Sequence, residues 1–321
     1  MTVLPRTRRP PAAFVWAALG SVYLIWGSTY LAIRVVVRTL PPMLSASVRF
    51  LIAGALMYWF ASRRGDRLAD KPGRSQWIAA FFIGATLLLG GNGLVVVAEQ
   101  HVSSGIAALL IATVPLWMAV VGWAGYRERV KLPVILGLVI GFLGLVVLVT
   151  AGRGTLAHVD PLGAALLVGA SLSWSIGSLY ARRAPLPSRA LVGTGMEMLA
   201  GGVLLGIVGL LRGELGKFHP SQVQLTSVLA FVYLIVFGSL VAFSAYVWCL
   251  RVTSTSIVST YAYVNPVVAV LLGWWLLREP VTPRTLLSGA IIVAGVALIV
   301  SSRPVANEGS PADAPPPTEK R

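Results

Sequence analysis

The chain has 321 residues, 56% of them hydrophobic and 12% charged, with a formal charge of +15, a pI near 10.9 and a mean hydropathy of +0.81. A soluble domain carries about 25% charged residues, so this is not the composition of a water-soluble enzyme. The basic charge lies between apolar runs, which argues against nucleic acid as a partner, and the single cysteine, Cys249, excludes an internal disulfide or a cysteine metal cluster. Ten apolar segments follow in chain order, at roughly 14–37, 44–61, 76–98, 103–124, 133–150, 161–181, 190–211, 224–249, 255–276 and 285–301. Each is close to the ~20 residues a helix needs to cross a bilayer. All are too long and too uniformly apolar for barrel strands of ~10 residues. Only helices and closed barrels satisfy their backbone groups in lipid. The predicted fold is therefore an all-α integral membrane protein with ten transmembrane helices. The first segment has no clean small-x-small cleavage site, so it reads as a span and not a removed leader.

Basic residues set the orientation. With the N-terminus in the cytoplasm, 18 of the 26 lysines and arginines fall on the cytoplasmic side, and the positive-inside rule then places both termini there. Residues 1–13 read as a cytoplasmic N-terminal tail. The polar stretch 302–321, with Pro311, Pro315, Pro316 and Pro317, reads as a disordered cytoplasmic tail.

Self-comparison divides the remainder into two five-helix repeats, 14–150 and 161–301. A shift of 151 residues aligns Pro115 with Pro266 and Gly122, Trp123, Arg127 and Glu128 with Gly273, Trp274, Arg278 and Glu279, so that GWAGYRERV meets GWWLLREPV without a gap. A shift of 148 aligns Trp26 with Trp174 and Arg34 with Arg182. Leu, Val and Ala match by chance in apolar sequence; Trp, Pro, Arg and Glu in order do so far less. Five is odd, so homologous halves must enter the membrane in opposite senses. The result is an inverted repeat, the architecture of many secondary transporters.

Ten spans in two such halves resemble the drug/metabolite transporter superfamily, and within it the EamA-type exporters, over about residues 14–301. The strings that carry the resemblance are WGSTYLAIR at 26–34, SVRFLIAG at 47–54, GNGLVVVAEQHVSSGIAALLIATVPLW at 91–117, and the paired Arg-Glu signatures at 127–128 and 278–279. The long central string is similar to the YedA-like branch. The resemblance implies export of small metabolites, amino acids or drugs from the cytoplasm across the inner membrane, through a site at the centre of the bundle.

Several residues could build that site. Pro115 and Pro266 lie about twelve residues into their spans, near the midplane at 1.5 Å per residue, where each proline removes a helical hydrogen bond. Backbone freed at that depth must face protein or a wet cavity. Neighbouring Trp117, Tyr263 and Asn265 suit a cavity, although neighbouring hydroxyls could equally cap the freed carbonyls. Trp26 and Trp174 also fall near mid-depth, away from the interfacial belt where tryptophan usually anchors. Tyr30 and Ser178 follow them at i+4 on the same faces. Aromatic walls of this kind suit an amphipathic solute or an ammonium group. Asn92, within Gly90-Gly91-Asn92-Gly93, offers a donor and an acceptor at depth, and the glycines allow close packing or a loosened helix.

Charges inside spans are functional candidates. Arg49 could snorkel outward. Glu197 could carry a coupling proton or pair with Arg49 or Arg34. Glu128 and Glu279 read as helix-end caps or gate latches, and Glu99 at the end of span three as part of a solvated loop, with an outer-gate contact as the alternative. No carboxylate pair sits beside a histidine with metal spacing and there is no P-loop, so no metal, no cofactor, no catalytic group and no direct use of ATP is expected. A membrane enzyme would need titratable groups clustered at one interface, and a sensor would need an output domain. The readings that remain are a secondary active exporter of small organic solutes working by alternating access, with protons as a candidate coupling ion, and a passive facilitator or channel. The sequence is silent on oligomeric state.

Overall fold

The computed structural model describes residues 11–63, 72–127, 132–149, 160–253, 258 and 260–302. All regular structure among them is helical. Seven helices are long and apolar enough to cross a membrane: α1 (Ala12–Val36), α2 (Pro42–Arg63), α3 (Arg74–Ala98), α4 (Ser104–Tyr126), α6 (Pro161–Ala181), α7 (Ala190–Leu211) and α8 (Leu225–Cys249). Three shorter apolar helices join them: α5 (Leu132–Val149), α9 (Tyr261–Leu277) and α10 (Pro283–Ser302). Large apolar side chains cover the outside. Leu211 is 82% exposed, Leu225 71% and Trp275 69%, a surface that suits lipid and not water. The chain is an integral membrane protein.

Helix ends follow local chemistry. Asp160 accepts from the Gly163 amide at 2.7 Å and Pro161 opens α6, an N-cap followed by the residue best suited to the first turn. The Gln76 side chain accepts from the Gly73 amide at 2.7 Å ahead of α3. α4 and α9 end alike. Arg127 and Arg278 both adopt φ 54°, and just beyond Arg278 the Glu279 amide donates back to the Gly273 carbonyl at 3.0 Å. A left-handed non-glycine residue is uncommon, and these two, 151 apart, are the non-glycine cases among the described residues.

A second pair of irregularities also recurs. Gly84–Gly93 in α3 and Leu234–Val241 in α8 are wound as π-helix, a wider turn that gathers at functional sites. Two helix pairs pack closely along their length, α2 on α7 and α5 on α10. In the first pair Ser47 donates to the Gly202 carbonyl at 2.7 Å. In the second, small residues at 137, 141 and 295 let the backbones meet: a Cβ added to Gly295 would lie 2.6 Å from the Gly141 nitrogen.

At one end of the bundle, carboxylates of the second half cap helices of the first. Glu279 accepts from the Ser104 amide at 2.9 Å, the Ser104 hydroxyl at 2.8 Å and the Gly105 amide at 3.3 Å, at the start of α4. Glu214 accepts from the amides of Met43 and Leu44 at 3.2 and 3.0 Å, at the start of α2. Each puts negative charge on a helix N-terminus, where the dipole favours it.

Candidate functional site

Between these helices lies a cavity to which both halves contribute. The cavity is narrow, with a volume of about 110 Å³. α1 supplies Trp26 and Tyr30, one turn apart on one face; α6 supplies Trp174; α9 supplies Asn265 and Pro266; the π-wound part of α3 supplies Asn92; and α2 supplies Arg49. Of the residues selected from sequence, these seven come together.

Three of the wall residues are held from behind. Trp26 Nε1 donates to the Gly238 carbonyl at 3.2 Å, in the π-wound part of α8. Its ring meets Phe243, Tyr246 and Tyr261 at centroid distances of 5.7, 4.9 and 5.3 Å, the edge-on and tilted geometries that aromatic pairs prefer. The Asn265 amide, oriented to satisfy its surroundings, donates to the carbonyls of Tyr261 and Tyr23 at 3.2 Å and so ties α9 to α1. Trp174 rests against Gly91, where a Cβ would come within 2.7 Å of the indole. That contact is why α3 needs glycine beside Asn92.

Arg49 neither snorkels outward nor pairs with Glu197. It is 6% exposed, its Nε donates to Ser239 Oγ at 2.8 Å, and its guanidinium sits 4.7 Å from the Phe50 ring centre. The π-wound part of α8 supplies that hydroxyl, so the helix irregularity and the buried cation are parts of one arrangement. Arg34 is engaged elsewhere, donating to the Glu99 backbone carbonyl. Among the described residues no ion pair joins Glu197 to either arginine; Glu197 lies on α7, its backbone against Gly84 of α3, away from the cavity lining.

Other sequence choices stand apart from the lining. Trp117 packs edge-on against Phe142 at 5.2 Å. Ser178 is half-buried on α6 beyond the cavity wall. Pro115 opens a new helix after a break at Ala112 and Thr113, and hydroxyls cap the break: Thr113 Oγ1 and Ser171 Oγ donate to the Leu110 carbonyl at 2.5 and 3.3 Å, and Ser175 Oγ donates to the Val114 carbonyl at 3.1 Å. Pro266, by contrast, lies within a continuous α9. Glu279 is the helix cap already described. Glu128 lies outside the described residues, as does the side chain of Tyr263.

Sequence reasoning missed Tyr261, Phe243 and Thr29 in the lining. Tyr261 was findable, since it precedes Asn265 by four residues on the same helix face, whereas position 263 does not. Sequence reasoning placed Glu99 in a solvated loop in preference to an outer gate. Far from being solvated, Glu99 is 0% exposed, one residue beyond α3, and neither carboxylate oxygen has a hydrogen-bond partner among the described residues. Burial pushes its carboxyl well above the ordinary carboxylate range. The neighbouring Glu279 adds to this and Arg34 opposes it.

With the cavity described, comparison with known proteins gives it a context. The profile of the EamA-like transporter family matches this chain twice, over residues 12–150 and 161–301. The chain belongs to the EamA-like transporter family. It is 42% identical over 287 residues, 89% of this chain and 90% of the other, to the inner membrane transporter YedA of Escherichia coli strain K12. It is 25% identical over 300 residues, 93% of each chain, to the transporter YvbV of Bacillus subtilis strain 168. A crystal structure with 22% identity superposes with a TM-score of 0.61 over 89% of this chain and 96% of that one, a likeness that speaks for the fold alone. This EamA-family chain is a membrane transporter and not an enzyme.

Proposed function

We propose that the chain is a secondary active transporter that moves small organic solutes across the inner membrane by alternating access, with the central cavity as the solute site. The observation that carries this reading is the cavity itself. Two tryptophans and two asparagines from both halves surround it, and a buried arginine without a described carboxylate partner enters it. The ten apolar helices are read as ten spans in two oppositely inserted repeats, 14–150 and 161–301, with both termini cytoplasmic. The recurring left-handed caps, the recurring π-wound segments and the double family match support that reading. Two such halves can exchange packings across a fixed site.

The wall chemistry favours an amino acid or a similar metabolite. Arg49 offers a charge-assisted contact to a carboxylate, the tryptophans offer their faces to an ammonium or apolar group, and the asparagines offer directional hydrogen bonds. Export, as the direction, rests on the likeness to EamA-type exporters. A passive facilitator is the second reading. The apolar character of most of the cavity wall disfavours it, since a channel needs a continuous polar path.

The test is uptake into proteoliposomes under an imposed pH gradient, with a panel of amino acids and cationic dyes. Saturable uptake and countertransport of labelled solute against preloaded solute are expected. Uptake linear in concentration, without countertransport, would replace the transporter by a channel.

A further inference from the structure

Glu99 is the charged group that the solute site leaves without a role. It is 0% exposed and both carboxylate oxygens lack a hydrogen-bond partner among the described residues. Arg34, the cation near it, donates from one nitrogen to the Glu99 backbone carbonyl. An ionised carboxylate here would have lost its water and gained no hydrogen bond, a condition proteins escape by keeping the group neutral. Around it stand Arg34 and Tyr30 from α1 and Glu279 from the turn after α9. His101, on its own turn, is engaged at the rim with Asp160, 3.9 Å away.

Two of these neighbours connect Glu99 to working parts. Tyr30 is a wall of the cavity. Glu279 holds the N-terminus of α4 through the amides of Ser104 and Gly105. We propose that Glu99 is the proton-binding site of this transporter, protonated while the Glu279 end of the bundle is latched and deprotonated when that end opens. The proposal rests on the alternating-access reading above and replaces Glu197 as the coupling group. On opening, the carboxyl O–H bond breaks, the proton passes to water, and the electron pair stays on a carboxylate beside Arg34. A second negative charge next to Glu279 then works against re-latching. The latched state binds the proton more tightly, so raising the pH shifts the equilibrium toward the open end.

Two measurements on the full-length protein in nanodiscs test this without any solute. The infrared difference between wild type and Glu99→Gln at neutral pH is expected to contain the carbonyl stretch of a protonated acid, lost in the variant; a difference holding only carboxylate bands overturns the proposal. Amide hydrogen exchange of residues 104–111, corrected for intrinsic base catalysis, is expected to quicken in wild type between about pH 6 and about pH 8, and the step is expected to vanish in Glu99→Gln. A step that survives in the variant overturns the proposal. So does its absence in wild type, a result that needs no variant to fold. Failure here leaves the transport reading standing, because neither measurement involves solute movement; both signals present without solute flux would sink the transport reading instead.

Discussion

Gly91 fixes how far Trp174 reaches into the cavity. A Cβ at that position would lie 2.7 Å from the indole, and overpacking of this kind costs about 1–3 kcal/mol. Gly91→Ala should leave a folded, monodisperse protein whose transport is reduced by about tenfold; unchanged transport kinetics would remove Trp174 from the site. Arg49 gives a sharper reading. Arg49→Gln removes the charge, while Arg49→Lys keeps it but loses the planar fork held by Ser239. For a solute with a carboxylate, the loss of a charged hydrogen bond worth about 1.5–3 kcal/mol corresponds to roughly 10–100-fold weaker binding. Titrations of intrinsic tryptophan fluorescence should rank wild type, lysine and glutamine variants in that order, and equal affinities would exclude a carboxylate contact. At this scale the sequence was informative wherever a residue type was costly in lipid. Trp26, Asn92, Trp174 and Asn265 stood out because polar or bulky groups at mid-depth need a reason. Glu99 did not, since three polar residues closing an apolar run look like any loop until the fold buries one of them.

Helix irregularities decide where those residues point. α4 breaks ahead of Pro115, and the hydroxyls of Ser171 and Ser175 on α6 cap the carbonyls of Leu110 and Val114. Ser171→Ala with Ser175→Ala removes these two bonds while Thr113 still holds the Leu110 carbonyl, a loss of about 0.5–1.5 kcal/mol each. A lowered melting temperature with the solute affinity retained is the expected result, read by scanning fluorimetry and binding. The Glu279 cap is likewise structural in the latched state: Glu279→Gln should lower the melting temperature, since charge-assisted bonds to three donors weaken together. The twin prolines were legible from spacing alone, yet their outcomes differ. One begins a helix and the other sits within one, because Ser171 and Ser175 lie opposite the first break and their placement depends on the packing of a distant segment. The π-wound segments were only half legible. Glycines announced Gly84–Gly93, but Leu234–Val241 carries a single glycine, Gly238.

Across the whole molecule the double family match over 12–150 and 161–301 goes with the recurrence of Trp, Pro, Arg and Glu in order along the sequence, and the inverted five-helix repeat is the proposal built on them. Its opposite insertion is checked by labelling Arg127→Cys and Arg278→Cys, one at a time, in sealed vesicles. An impermeant maleimide added outside should reach residue 278 and not residue 127, and labelling of both from one side would dismantle the inverted arrangement together with the shared cavity. What the sequence could not supply was which faces meet across the halves. Contacts such as Arg49 with Ser239, 190 residues apart, depend on how α2 leans on α8, and no local pattern encodes that.

Cys249 is 0% exposed and packs with Leu19 and Val258, so the native chain holds its single thiol sealed between α1 and its neighbours. A thiol reagent that modifies the unaltered protein must have waited for those helices to part. The rate of that slow reaction, followed by intact mass, makes the wild-type molecule a clock for its own breathing, with no engineered label at all.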